Sequence, residues 1–148
     1  MLDQDHVLTI TGSGEMTDYD DGEAHFEGAE VYSVVVGEGV TSIGSHAFDG
    51  YFDVKKVLLP KSLKRIGESA FFDCGLESIT IPDAVATIGN RCFSNCGSLR
   101  DVKLPASLTT ITSYTFDNCN SASISRCHYG TYQGQHAKQN SFCSVQRC

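Results

Sequence analysis

Seven cysteines and five histidines are the residues of this sequence best equipped for chemistry. Cys127, His128, His136, Cys143 and Cys148 gather near the C-terminus, and thiolate with imidazole is a ligand set that suits zinc. Their spacing, Cys-His-x7-His-x6-Cys-x4-Cys, matches no regular structural zinc pattern, so no metal site is expected there. A disulfide among Cys127, Cys143 and Cys148 stays open as the other reading of the same cluster. The run from Asp18 through Asp20 and Asp21 to Glu23 offers carboxylates at calcium-like density. A calcium loop wants oxygen ligands at positions 1, 3 and 5 with glycine at 6, and counting from Asp18 puts Gly22 at position 5, so a solvated acidic turn is expected. Gly37, Gly39 and Gly44 fail the dinucleotide fingerprint because the third glycine is displaced and no strand–helix–strand unit surrounds them. Gly-x-Ser-x-Gly is absent, and the histidines sit at scattered registers from which no Ser-His-Asp set can be argued. The expectation is a protein with no catalytic residues, no cofactor and no metal.

Cys74, Cys96 and Cys119 belong to another pattern, because they recur at intervals of 22 and 23. Stacked at one register they would project in parallel, whereas a disulfide needs Cβ atoms turned towards each other at ~3.8 Å. They read as buried thiols packing as small hydrophobes, and Cys92, standing where alanine recurs, reads as core too. An odd total of seven leaves at least one thiol free or paired with another chain.

The same step governs the whole sequence. Ile43-Gly44 with Ala47-Phe48, Ile66-Gly67 with Ala70-Phe71, Ile88-Gly89 with Cys92-Phe93, and Ile111-Thr112 with Thr115-Phe116 recur at 23, 22 and 23, and Pro60, Pro82 and Pro105 keep that step. A fixed period of this length signals a stack of coils rather than a globule. Residues 57–59, 79–81 and 102–104 alternate with period two, which predicts short strands ended by proline, a residue that cannot donate to a ladder. An inward pair such as Val85 and Ile88 returns the chain, Gly89 is expected to permit a turn that a side chain would obstruct, and Phe48, Phe71, Phe93 and Phe116 should stack as an internal column. One such unit cannot close its own core, so stacking is obligatory, with parallel strands about 4.8 Å apart. The predicted fold is a solenoid, mostly short parallel strands, with about four right-handed coils of 22–23 residues. It would form a single domain over 1–148: an N-terminal cap at 1–30, repeats at 31–127 and a C-terminal cap at 128–148. In the caps, residues 7–12 read as a strand with a Gly-rich turn, residues 131–139 as a short helix capped by Thr131, and residues 142–145 as a last strand.

Composition narrows the class. The chain has 148 residues, 41% of them hydrophobic and 20% charged, which suits one folded domain. Its longest aliphatic runs, residues 34–36 and 57–59, are far short of the ~20 apolar residues of a membrane-spanning helix, so no membrane insertion is expected. Residues 1–54 hold 12 acids and no Lys or Arg; residues 55–148 hold the other 6 acids and all 11 basic residues. An acidic front half opposes phosphate, so nucleic acid is not expected as a partner. Residues 1–30 lack a basic region followed by an apolar one, so no signal peptide is expected within them, which leaves an intracellular protein or a segment lying after a removed leader.

The register I-G-x-x-A-F-x-x-C-x-x-L-x-x-I-x-I-P resembles the leucine-rich repeats of the BspA type, also called the Treponema pallidum type, over nearly the whole chain. Residues 8–20 resemble the N-terminal cap of these proteins and residues 132–140 their terminal helix. Phe52 departs from the pattern near a usual cysteine, and Thr112 and Thr115 depart from glycine and alanine, as though the last coil were deforming into its cap. The resemblance implies that the solenoid is an α/β leucine-rich-repeat solenoid; it implies secreted or cell-surface proteins that bind host or partner proteins, and it implies no catalytic residues.

The outward strand positions are where such a fold can vary without harm to its core. By alternation they are Ser33 and Val35, Lys56 and Leu58, Ser78 and Thr80, and Asp101 and Lys103. Of these, Val35, Lys56, Leu58, Thr80 and Lys103 are the expected partner-binding residues, with Val35 and Leu58 as an apolar pair on adjacent coils. The expected function is a non-enzymatic protein-interaction or adhesion module presenting an extended sheet face. The alternative is a structural spacer of repeats within a larger surface protein.

Overall fold

The structure, a computed structural model, describes residues 1–20, 29–108, 110–112, 114–119, 122–126 and 144–147. Within these the chain forms eleven short strands and no helix: β1 (Val7–Ile10), β2 (Gly14–Glu15), β3 (Ser33–Val36), β4 (Val40–Ile43), β5 (Lys56–Leu58), β6 (Arg65–Ile66), β7 (Ser78–Thr80), β8 (Thr87–Ile88), β9 (Asp101–Leu104), β10 (Ser123–Arg126) and β11 (Ser144–Arg147). They assemble into two parallel ladders, a long sheet in the order β1-β3-β5-β7-β9-β10-β11 and a short one in the order β2-β4-β6-β8. The result is a parallel-strand solenoid of the leucine-rich-repeat kind. It stacks past the four expected coils, because β1 at one end and β10 and β11 at the other continue the long ladder. The expected helix at 131–139 lies outside the described residues, while the expected last strand is met by β11, shifted to Ser144–Arg147.

The long sheet follows the alternation in the sequence. β5 and β7 bury their central Val57 and Ile79 and expose the residue on either side, and β9 buries Val102 and Leu104. Proline ends each of these three segments, where the chain leaves the ladder for a turn closed by Leu63 N–H to the Pro60 carbonyl, Val85 N–H to Pro82 and Leu108 N–H to Pro105. At the outer edge of β1, Leu2 pairs antiparallel with Leu8.

Between the sheets runs the column of rings. Phe48, Phe71, Phe93 and Phe116 stack with centroids 5.3, 5.5 and 5.4 Å apart and interplanar angles of 9°, 1° and 6°. Parallel planes at that centroid separation are offset rather than eclipsed, the arrangement the ring quadrupole favours. All four rings are buried, and each such burial stabilises the stack by ~1.5–3 kcal/mol. Backbone bonds bind the same arc from coil to coil, from Phe48 N–H to the Ala70 carbonyl, Phe71 to Cys92 and Phe93 to Thr115, each 2.9 Å.

Two physical details sharpen the sequence expectation. Gly89 does not occupy a left-handed turn; it is required by close approach, since a Cβ there would stand 2.6 Å from the Glu68 Cα. Gly67 repeats this against Gly44 and Ser45 of the coil before it. The left-handed positions belong to other residues, two per coil: His46, Ser69, Arg91 and Tyr114 just before the alanine register, and Gly50, Asp73, Asn95 and Asn118 two residues after the phenylalanine. These kinks aim the intervening N–H groups at the next coil, as with His46 N–H to the Glu68 carbonyl and Ser69 N–H to Asn90, both 2.9 Å.

Candidate functional site

The buried cysteines are structural in their geometry. The Cys74 thiol donates to the Phe48 carbonyl at 2.9 Å, Cys96 to Phe71 at 3.1 Å and Cys119 to Phe93 at 2.9 Å, each reaching one coil back. Cys74, Cys92 and Cys96 are free thiols. Burial pushes the Cys74 and Cys92 thiols well up and raises Cys96 to about 12. A buried thiol held protonated is a poor nucleophile and a poor ligand. The ladder is therefore scaffold, as its register implied.

Other chemistry-bearing groups are dispersed. Asp18 spends its carboxylate on the fold: Oδ1 accepts from the Ser45 N–H and lies 3.5 Å from Arg65 Nη2, and the Ser45 bond holds its carboxyl below the usual value. Asp20 is exposed, while Asp21 and Glu23 lie outside the described residues, as do Cys127, His128, His136, Cys143 and Cys148, on which the readings of a zinc site and a disulfide rest. Among the described residues no three His, Cys, Asp or Glu side chains converge as a metal site, and no helix is long and apolar enough to cross a membrane. One pair escaped the sequence reading: His46 Nδ1 lies 2.8 Å from Asp49 Oδ2. An i,i+3 pair is an ordinary signal on a helix, but here the left-handed backbone at His46 creates it, and nothing in the residue types announces that kink.

The outward face of the long sheet brings the five expected partner-binding residues onto one surface. In the ladder Val35 lies beside Leu58, Ser33 beside Lys56, Lys56 beside Ser78, Ser78 beside Asp101 and Thr80 beside Lys103. Lys56, Leu58, Thr80 and Lys103 are exposed, Leu58 to 49%. Val35 is only half-buried rather than open, because it has Thr9 of β1 on one side and Leu58 on the other. The apolar pair is therefore real as a neighbourhood, with Leu58 as its open member.

Around Leu58 the surface dips into a shallow depression of about 580 Å³ between β5 and β7 and the turns that follow them. Lys56 and Lys61 stand on the β5 side, Ser78, Thr80 and Asp83 on the β7 side, and Leu58, Pro82 and Ala84 supply the apolar part. Lys61, Pro82, Asp83 and Ala84 were not among the expected residues. Their signal was available in the strand-ending prolines, since the residues after Pro60 and Pro82 turn out together beside the strand ends. At the flank of the face, exposed Tyr32 sets its ring 4.7 Å from His6 and donates its hydroxyl to Glu30 at 3.1 Å, and that carboxylate raises the phenol's pKa. This geometry offers a contact surface: a solvent-exposed aliphatic side chain in a dip bordered by cations, with no converging set of reactive groups.

No curated protein matches the chain in sequence. Among solved structures it is similar to a leucine-rich repeat protein from Eubacterium ventriosum, with 32% identity over 85% of this chain and a TM-score of 0.75. It is also similar to the T. pallidum leucine-rich repeat protein, with 30% identity over 81% and a TM-score of 0.73. A leucine-rich cell surface protein from Faecalibacterium prausnitzii, 24% identical over 66% of this chain and 36% of its own, shares the fold with a TM-score of 0.53. The chain spans 34% of the Eubacterium protein and 58% of the T. pallidum protein. Residues 22–144 match the BspA type leucine-rich repeat region in six copies, in agreement with the ring column, the thiol ladder and the parallel sheets, and the chain belongs to that family.

Proposed function

We propose that the chain is a non-enzymatic protein-binding module that contacts its partner through the outward face of the long sheet, with Leu58 at the centre of the contact. The observation that carries this reading is the half-exposed leucine in a dip next to half-buried Val35, flanked by Lys56 and continued by Thr80 and Lys103. Exposed apolar surface gathered in a concavity and rimmed by polar groups favours a contact surface over a purely solvated one. The family supports a binding role, because leucine-rich repeats are typically binding modules. Secretion or display at the cell surface belongs to the same proposal, supported by the surface protein among the structural relatives, and so does a single domain over 1–148.

The test is affinity capture from surface and secreted protein fractions with the wild-type chain and with Leu58→Glu in parallel. A partner held by this face should lose ~1–2 kcal/mol or more of binding with the variant, a drop of roughly 5- to 30-fold, while circular dichroism stays unchanged. Equal capture by both proteins would move the contact to a cap or to the short sheet, and a chain that captures nothing while its neighbours in a longer protein do would favour the spacer reading.

A further inference from the structure

Two basic residues of this acidic chain line the depression, and both come from its most basic stretch. Residues 54–67 contain Lys55, Lys56, Lys61, Lys64 and Arg65 and no acid, in a chain of net charge −7. Lys56 and Lys61 both line the dip that exposes Leu58. Among the described residues the ion pairs are His46 with Asp49 and Arg65 with Asp18, so neither lysine is neutralised by one. The ladder neighbours of Lys56 are Ser33 and Ser78, and that of Leu58 in β3 is Val35, all uncharged. Glu38, on the preceding coil, accepts the Lys61 backbone N–H with its Oε1 at 3.1 Å. The lining of the dip thus carries two ammonium groups on its β5 side, in no ion pair among the described residues, and one carboxylate, Asp83, on its β7 side.

We infer that the occupant of this face is a protein segment carrying an apolar side chain flanked by carboxylates, the apolar group seated on Leu58 and the carboxylates lying towards Lys56 and Lys61. This rests on the binding reading of the same face and adds the partner's chemistry. A lysine ammonium left unpaired beside buried apolar contact would lose hydration without return, so a neutral or basic segment would be rejected there, whereas a carboxylate restores the lost interaction. The acidic region of residues 1–54 repels the same segment at long range, but that repulsion is screened over ~8 Å at physiological ionic strength. The carboxylates that contribute are therefore those that lie within about that distance of the two lysines.

The experiment pans a random dodecapeptide display library over the immobilised chain, over Leu58→Glu, and over the double variant Lys56→Glu with Lys61→Glu, each verified as folded by circular dichroism. The expected result is a consensus of one apolar residue with Asp or Glu on at least one side, lost with Leu58→Glu and replaced by Lys- or Arg-flanked sequences with the double variant. A synthetic consensus peptide should bind the wild type at least 10-fold more tightly than its Asn/Gln counterpart. An apolar consensus that needs Leu58 but is indifferent to the lysines overturns this inference and leaves the binding face standing. A consensus indifferent to Leu58 as well overturns both, and an empty selection overturns the inference of a short acidic segment. Sedimentation of the wild type alone covers a second copy of the chain as occupant: self-association abolished by the double variant would replace the acidic segment with that copy.

Discussion

Each coil has two arcs that obey different rules. Along the arc from the Ile-Gly register to the cysteine register, the repeating side chains are dictated by the coil next to them: the glycine by a backbone it almost touches, the phenylalanine by the ring above, the cysteine by a carbonyl one coil back. Along the long-sheet arc only alternate residues are so constrained, and the positions between them read Ser33, Lys56, Ser78 and Asp101 in one row and Val35, Leu58, Thr80 and Lys103 in the next. Repetition marks contact with the neighbouring coil, and divergence marks freedom from it. A binding surface can be built only where the stack makes no demand.

The comparison is broken most forcefully at the ring column. Phe71→Ala removes a fully buried ring stacked on both sides, and should cost ~3–5 kcal/mol in chemical denaturation because flanking coils tied by backbone bonds cannot collapse into the space. A loss below about 1 kcal/mol would show that the arc is less constrained than its repetition implies. Gly89→Ala should cost ~1–3 kcal/mol by pushing a methyl against the Glu68 backbone, and an unchanged midpoint would mean that the coils separate freely there.

The thiols sharpen the comparison through pH. Their folded pKa values are raised above the ordinary 9.0, so the unfolded chain loses these protons first as pH rises. The stability they confer is whole below pH ~9 and is lost between there and the folded values, about 12 for Cys96, at up to ~1.4 kcal/mol per pH unit for each thiol. Denaturation midpoints that stay flat from pH 8 to 10.5, or native-state labelling of Cys74 or Cys96 by a thiol reagent, would contradict that burial. The smallest effect belongs to the free arc: Leu58→Glu should change stability by less than ~0.5 kcal/mol, and a larger loss would place Leu58 under the stack's rules after all.

The sequence was legible where one physical contact repeats through one residue type. Phe at 48, 71, 93 and 116 and Cys at 74, 96 and 119 could be assigned to a column and a ladder because identical neighbours demand identical partners. The left-handed positions were hidden for the converse reason. His46, Ser69, Arg91 and Tyr114 share a backbone conformation but no side-chain chemistry, since what the position needs is an N–H aimed at the next coil. The glycines were legible as places where a side chain would be obstructed, but not what obstructs it, the backbone of the preceding coil, because a glycine needed for close approach and one needed for a turn look alike in a sequence. At the candidate site, alternation found Lys56, Leu58, Thr80 and Lys103, but not Lys61 or Asp83, whose place beside the dip depends on how the chain turns after each proline.

The ladder order carries a consequence for how the molecule comes apart. Among the described residues each strand pairs only with the strands next to it in its ladder, and the thiol bonds between coils join residues 25 or 26 positions apart. Such a chain has no kernel whose loss brings down the rest: each coil is a rung held by two neighbours, and the terminal rungs by one. Melting should then advance as a front from the ends, with amide-exchange protection rising towards β5, β7 and β9. By the same logic a whole rung of 22 or 23 residues can be spliced in or cut out with no change to any surviving contact. Length is thus the cheapest property for this architecture to alter, and the outward surface lengthens or shortens with it.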